Sequence, residues 1–282
     1  FSVSVFLKKT GTFSLFVGGP ADCTKNGDNG IITPVFGGEY MKNLEELYDL
    51  IPGTFVVETL TQLRDIYDEL ETATENFRKN YHISCPEGCG SCCERFVPDI
   101  TPAEARMVAA YLLFVKQDVE ALKVLESHLE GVCFAGNPGM DGNDADAASL
   151  TGCPLYDPDN PYHCTVYPAR PLICRLFAAS ASDSKAGSPV FRRCKLDAEN
   201  TMPLYLDLSD ADPALGDIPL MRDYGFRVRA IGGGNDEIQL LPKAVLEAVA
   251  QLRFIARMLG IGESPDSNPD DTPTPTPTPI AS

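Results

Sequence analysis

The stretch Cys85-Pro86-Glu87-Gly88-Cys89-Gly90-Ser91-Cys92-Cys93 puts four thiols into nine residues, and how they are used decides the fold. Thiols crowded into so short a loop either converge on a metal or are shared out among remote disulfide partners. Four more cysteines follow, at Cys153, Cys164, Cys174 and Cys194. The two blocks must meet in space if one inorganic centre, or a close pair, uses both.

A disulfide framework serves small secreted domains that cannot bury enough apolar surface. This chain has 282 residues and is 44% hydrophobic, enough for an ordinary core without covalent staples. Cys92 and Cys93 are adjacent with diverging β-carbons, so a bond between them is strained and each needs its own remote partner. Metal ligation fits the local chemistry better. Gly88 and Gly90 flank Cys89 and let backbone amides turn toward sulfur, while Pro86 stiffens the approach. Ligating thiolates repel one another unless positive charge lies near. Arg170, Arg175, Lys185, Arg192 and Arg193 lie between Cys164 and Cys194, with Lys195 just beyond, against the single acid Asp183. This basic island sits in a chain of formal net charge -17. Arg170 and Arg175 are its candidate cofactor-binding residues.

Cys85-x3-Cys89-Gly-x-Cys92-Cys93, then Cys153-Pro-Leu, then Cys164-x-Val-Tyr167-x-x-Arg170-Pro171-x-x-Cys174-Arg175-x-Phe177, resembles the CxxCxxCC family of zinc- or iron-chelating proteins, the YkgJ type. The resemblance runs from Cys85 to Cys194. It departs in the first gap, three residues where two are usual, which singles out Cys85 within its block. The resemblance implies a metal site drawn from Cys85, Cys89, Cys92, Cys93, Cys153, Cys164, Cys174 and Cys194. A more distant likeness to flagellin lysine N-methylases implies an iron-sulfur cluster, and with it the alternative of a protein-modifying enzyme, a lysine methyltransferase.

Tetrahedral thiolate sites suit zinc and iron-sulfur clusters alike, so spacing leaves zinc, iron and a 4Fe-4S cluster open. Eight thiols exceed the needs of one four-coordinate ion, and adjacent cysteines suit a polynuclear cluster or paired sites, which tilts the reading toward iron. Cys23 and Cys133 read as ordinary thiols. His163 reads as a turn residue in Asn160-Pro-Tyr-His163. No Ser/His/Asp arrangement, Walker loop or H-E-x-x-H segment carries a hydrolase or nucleotide-binding reading. The run Gly232-Gly-Gly-Asn-Asp236 lacks the rest of a phosphate loop. Its flanks, Phe226 to Ile231 and Glu237 to Leu241, predict a β-hairpin.

Around the cysteines the periodicity is helical. Leu60, Leu63, Ile66, Tyr67, Leu70 and Phe77 predict one amphipathic helix over Phe55 to Tyr81, leading straight into the cysteine loop. Thr101-Pro-Ala-Glu104 is a capping box that opens a helix through Lys116. A further helix is expected over Asp118 to Glu130, stopped by Gly131. Prolines punctuate the second block and leave room for a short helix over Leu172 to Ala179. A last helix is expected over Pro242 to Leu259. The fold class is therefore mainly α (α+β), an irregular cysteine-rich, metal-centred core flanked by helices, with one hairpin before the C-terminal helix.

Residues 41–262 are expected to form a single domain. The stretch 134–152 reads as a flexible link between the blocks, and the Thr/Pro-rich 263–282 as a disordered tail. Residues 1–40 are expected to be a translated leader or disordered segment. Gly37-Gly-Glu-Tyr-Met41 can be encoded by a purine-rich run just ahead of a start codon at Met41. The apolar run Phe13 to Val17 is too short for a secretory signal, and no stretch is long enough to span a bilayer. The sequence pI near 4.5 disfavours nucleic acid and anionic membranes as partners and leaves a protein partner open. Reduced thiols and metal supply point to the cytoplasm.

Overall fold

The computed structural model describes residues 3–7, 13–17, 45–84, 89–135, 152–160, 162–197, 200–209, 218–232 and 238–261. Cys23, Met41, Cys85, nearly all of the inter-block stretch, the Gly234-Asn-Asp236 segment and the Thr/Pro tail lie outside these residues. Strands β1 (Val3–Leu7) and β2 (Phe13–Val17) pair antiparallel. A short helix α1 (Glu45–Leu50) leads to α2 (Phe55–Asn80), whose N-cap Thr54 accepts from Val57 N. The 3.6-residue repeat of α2 buries Val56, Leu60, Leu63, Ile66, Tyr67, Leu70 and Phe77 on one face.

Strand β3 (Asp99–Ile100) ends at the capping box, where Thr101 and Glu104 cap each other's backbone and Pro102 occupies the first turn of α3 (Pro102–Ala110). The helical path widens into a π-helical stretch over Tyr111–Lys116 and stops at Gln117, whose φ of 50° closes it in the left-handed region. Such widened turns recur at functional sites, and Tyr111 at the start of this one lies within electrostatic reach of Cys164. Helix α4 (Val119–Ala135) continues through Gly131 instead of ending there. A glycine inside a helix costs only about 1 kcal/mol, too little to stop one whose neighbours propagate.

Helix α5 (Leu172–Leu176) follows Pro171 and is shorter than the sequence suggests, because the backbone turns to extended geometry at Phe177 and to positive φ at Ala178. Next come β4 (Ala181–Asp183), β5 (Pro189–Arg192) and β6 (Tyr205–Asp207), an antiparallel sheet in that order. The expected hairpin before the last helix is absent. Met221–Ala230 is helix α6, and β7 (Gln239–Leu240) pairs instead with the distant β3, antiparallel, with Asp99 opposite Leu240 and Ile100 opposite Gln239. Phe226, Val228 and Ala230 alternate as a strand would, but burial picks out Val228 and leaves Phe226 exposed, so tertiary packing decided the segment. The mainly α (α+β) class holds. Helix α7 (Leu241–Met258) starts where Leu241 N donates to Pro98 O at 2.9 Å, pinning its first turn beside that of α3.

Two cores result. The larger joins α1, α2, α3, α4 and α7, with Ala103, Ala105, Ala109 and Ala110 on α3 and Ala244 and Ala248 on α7 letting those helices approach closely. The smaller packs Phe77, from the end of α2, against Phe191 of β5, with ring centroids 5.2 Å apart and edge-to-face. One rod, α2, thus serves both cores, and the cysteine loop follows it closely in sequence. Among the described residues no helix is long and apolar enough to cross a membrane.

Candidate metal centre

The first block is shaped by backbone. Cys93 N and Glu94 N both donate to Gly90 O, at 2.8 and 3.1 Å, folding the loop into the 3-10 turn Cys93–Arg95. A β-carbon on Gly90 would fall on the Tyr156 ring and within 2.9 Å of His163 Cβ. Gly90 is therefore the point where the two blocks press together. Gly90→Ala is expected to disrupt that contact and lower the melting temperature by several degrees, with reduced metal content read by elemental analysis. Unchanged metal content would show that the contact is dispensable.

The second block is tied to the first by Cys153 N, which donates to Cys93 O at 2.7 Å. An isolated antiparallel bridge joins Tyr156 to Cys164, and His163, with φ 49°, turns the chain between them by donating to Asn160 O at 2.8 Å. His163 is thus the turn residue its context predicts, although its Nδ1 is buried without a hydrogen-bond partner. Helix α5 then brings up Cys174, whose N donates to Pro171 O at 3.0 Å.

The seven described cysteines are free thiols. Cys92 and Cys93 share a side-chain hydrogen bond, so their sulfurs do not diverge as adjacent β-carbons suggest. That bond, from Cys93, lowers the Cys92 pKa to about 6, and it raises that of Cys93. Burial pushes Cys153 up to about 12 and raises Cys164 and, further, Cys174. Charge on one thiol is felt by the next: Cys92 acts on Cys153, Cys164 and Cys174, and Cys153 and Cys174 act on Cys93. Five thiols from residues 92 to 174 therefore occupy one neighbourhood. Cys89 lies within electrostatic reach of Tyr156 beside them.

A repeated turn accompanies these sulfurs. The backbone amide two residues after the cysteine acts on the thiol at Cys153, from Leu155, and at Cys164, from Val166. At Cys194 the same step is a hydrogen bond from Leu196 N to Sγ at 3.4 Å. Sequence reasoning assigned amide donation to the glycines of the first block. It missed this turn, whose donor residues Leu155, Val166 and Leu196 are apolar and which carries no glycine to mark it.

Cys194 is placed by a different route. Asp197, 3% exposed, accepts from Ser84 N at 3.2 Å and Ser84 Oγ at 2.8 Å, and Asn200 donates to Tyr81 O and His82 O. These bonds hold the Cys194 turn against the end of α2, where the first cysteine loop begins. Cys85 itself lies outside the described residues.

The basic island divides. Arg170 lowers the pKa of Cys92 and Cys164, its guanidinium carbon lies 3.9 Å from the Tyr167 ring centroid, and its Nε is buried without a partner. Arg175, 7% exposed, is occupied structurally: Nε donates to Arg170 O at 2.9 Å, Nη2 to Pro168 O at 2.6 Å and Nη1 to Glu71, above the Tyr67 ring. Arg192 and Arg193 bond to Ser182 and to Met202 O.

The donor set fits a soft or borderline metal, since thiols with amides turned on sulfur and one unpaired guanidinium are what thiolate ligation uses. Among the described residues, no three Cys, His, Asp or Glu side chains converge as a ready-made metal site. The fit is one of chemistry and neighbourhood.

Residues 84–198 match the CxxCxxCC family model, described as a "putative zinc- or iron-chelating domain". That span contains all eight candidate cysteines. No curated protein and no solved structure matches the chain.

Proposed function

We propose that this chain chelates zinc or iron through thiolates contributed by both cysteine blocks, with Cys92, Cys93, Cys153, Cys164 and Cys174 as the inner set. Cys85, Cys89 and Cys194 are the outer candidates. The single observation that carries the reading is the mutual electrostatic reach of five thiols whose sequence positions span residues 92 to 174. The zinc- or iron-chelating domain matched over the same residues supports it. The backbone bond from Cys153 N to Cys93 O ties the two blocks together beside these thiols.

Five neighbouring thiols, two of them adjacent, favour a polynuclear centre over one tetrahedral ion, and we assign iron in a cluster as the preferred metal. Such a centre supplies one-electron chemistry or a rigid cross-link when bound. The chain's own residues supply the thiolates, the amides and the Arg170 charge. Anaerobic purification with iron, sulfide and zinc analysis and a visible spectrum tests both levels. Iron with sulfide and broad absorption supports the cluster, stoichiometric zinc in colourless protein replaces it with a structural site, and folded protein that takes up neither metal overturns chelation.

Loading must expel protons from Cys153, Cys164 and Cys174, whose pKa values burial holds above the ordinary thiol range. Affinity is therefore expected to rise with pH from 6 to 8, about tenfold per unit for each proton released. Competition titrations with a chelator at fixed free metal measure it. A flat profile would mean that the ligands are already thiolates.

A further inference from the structure

We propose that Glu104 is a positioning residue for the metal centre, holding the helix that carries Cys174 in register with the framework of α2 and α3. The inference rests on the chelation reading above, since it assigns a role in that site. Glu104 is 5% exposed and carries a carboxylate whose two oxygens each accept two hydrogen bonds. Oε2 accepts from Thr101 N at 2.8 Å and Thr101 Oγ1 at 2.9 Å. Oε1 accepts from Tyr67 OH at 3.1 Å and from Leu172 N at 2.7 Å.

A capping box needs of these only the Thr101 N bond, with Glu104 N donating back to Thr101 Oγ1 at 3.3 Å. The second pair reaches 37 residues back to α2 and 68 residues forward to the first residue of α5. A five-residue helix cannot hold its own place, and Leu172 N is one of its orphan N-terminal donors. Glu104 satisfies that donor with a charged acceptor, a bond about twice as strong as a neutral one. The same carboxylate lies within electrostatic reach of Cys174, two residues further along the helix. With four bonds accepted, its oxygens have no lone pair left for a metal. Glu104 therefore acts through Cys174 and is not itself a ligand. Arg175 closes the assembly, lying over the Tyr67 ring whose hydroxyl donates to Glu104.

Glu104→Gln tests this, because its amide nitrogen must face one pair of donors whichever way it turns. The full chain, prepared metal-free under anaerobic conditions, is titrated with Co2+, whose thiolate-to-metal absorption and ligand-field bands report sulfur number and geometry. Thr54→Ala, which removes the cap of α2 far from the thiols, controls for lost stability. Glu104→Gln is expected to weaken Co2+ binding at least tenfold and to change the ligand-field bands, whereas Thr54→Ala stays within twofold of the unsubstituted chain with its bands intact. Wild-type affinity and bands in Glu104→Gln overturn the inference, as does an equal loss in both variants. Should Glu104→Gln fail to fold, Tyr67→Phe removes one of the four bonds and leaves the ring under Arg175. A several-fold loss of affinity is expected there, and none overturns the inference. If the unsubstituted chain shows no cobalt-thiolate absorption, the chelation reading fails first, and that result needs no variant to be recognised.

Discussion

Cys174→Ser is expected to leave the purified protein without metal and with the thermal stability of the metal-free form. Cys174 sits on α5, feels Cys92, Cys153 and Cys164, and is half-buried, with desolvation holding its thiol well above its ordinary pKa. Serine is close in size, so the apo framework survives and the change falls on ligation. A metal that binds only the folded chain stabilises it by about 4 kcal/mol at a thousandfold excess over its dissociation constant, and this increment disappears with the ligand. The melting temperatures of loaded and chelator-treated samples should converge in the variant and stay apart in the parent. Cys133→Ser, on α4 outside both blocks, should keep its metal. Retention of stoichiometric metal by Cys174→Ser would remove Cys174 from the inner set.

The largest loss of fold stability is expected from Arg175→Ala. This guanidinium is the clasp of the second block: it bonds Pro168 O and Arg170 O, pairs with Glu71 of α2 and lies 4.3 Å from the Tyr67 ring centroid. Glu71 is half exposed and returns to water once its partner is gone, so the ion pair itself contributes little. The loss comes from two carbonyls stripped of their donor and from the missing contact with Tyr67, together about 3 kcal/mol. Arg175→Lys should recover little of it, since one ammonium cannot replace a planar fork that reaches two carbonyls and a carboxylate at once. Urea unfolding measures the difference. A loss below about 1 kcal/mol in Arg175→Ala would show that α5 is held by Glu104 and its apolar contacts alone.

The helices around the site were legible because their causes are local. The capping box at Thr101, the apolar stripe of α2 and that of α7 each lie within one segment, and the structure has them within a residue or two. The structure brings the two blocks into backbone contact where Cys153 N meets Cys93 O, as a centre shared between them would require. The stretch from Phe226 to Ile231 was misread as a strand because its conformation is settled by distant packing, with β3 claiming the partner that the imagined hairpin would have supplied, and Gly131 was misread because one glycine is too weak to stop a helix. Arg175 illustrates the remaining gap. Its charge is plain in the sequence, but only the fold tells that its donors go to two carbonyls and Glu71 while it stays within electrostatic reach of Cys174, and that Arg170, five residues earlier, acts on Cys92 and Cys164.

The cysteine region does not own its hydrophobic support. Helix α3, inside the matched span, packs on α7 beyond residue 198, and Phe191 packs on Phe77 ahead of residue 84. A gene rearrangement that moved only the chelating segment into another protein would strand it without either wall. What packs as one body is the cysteine blocks together with the helices that precede and follow them.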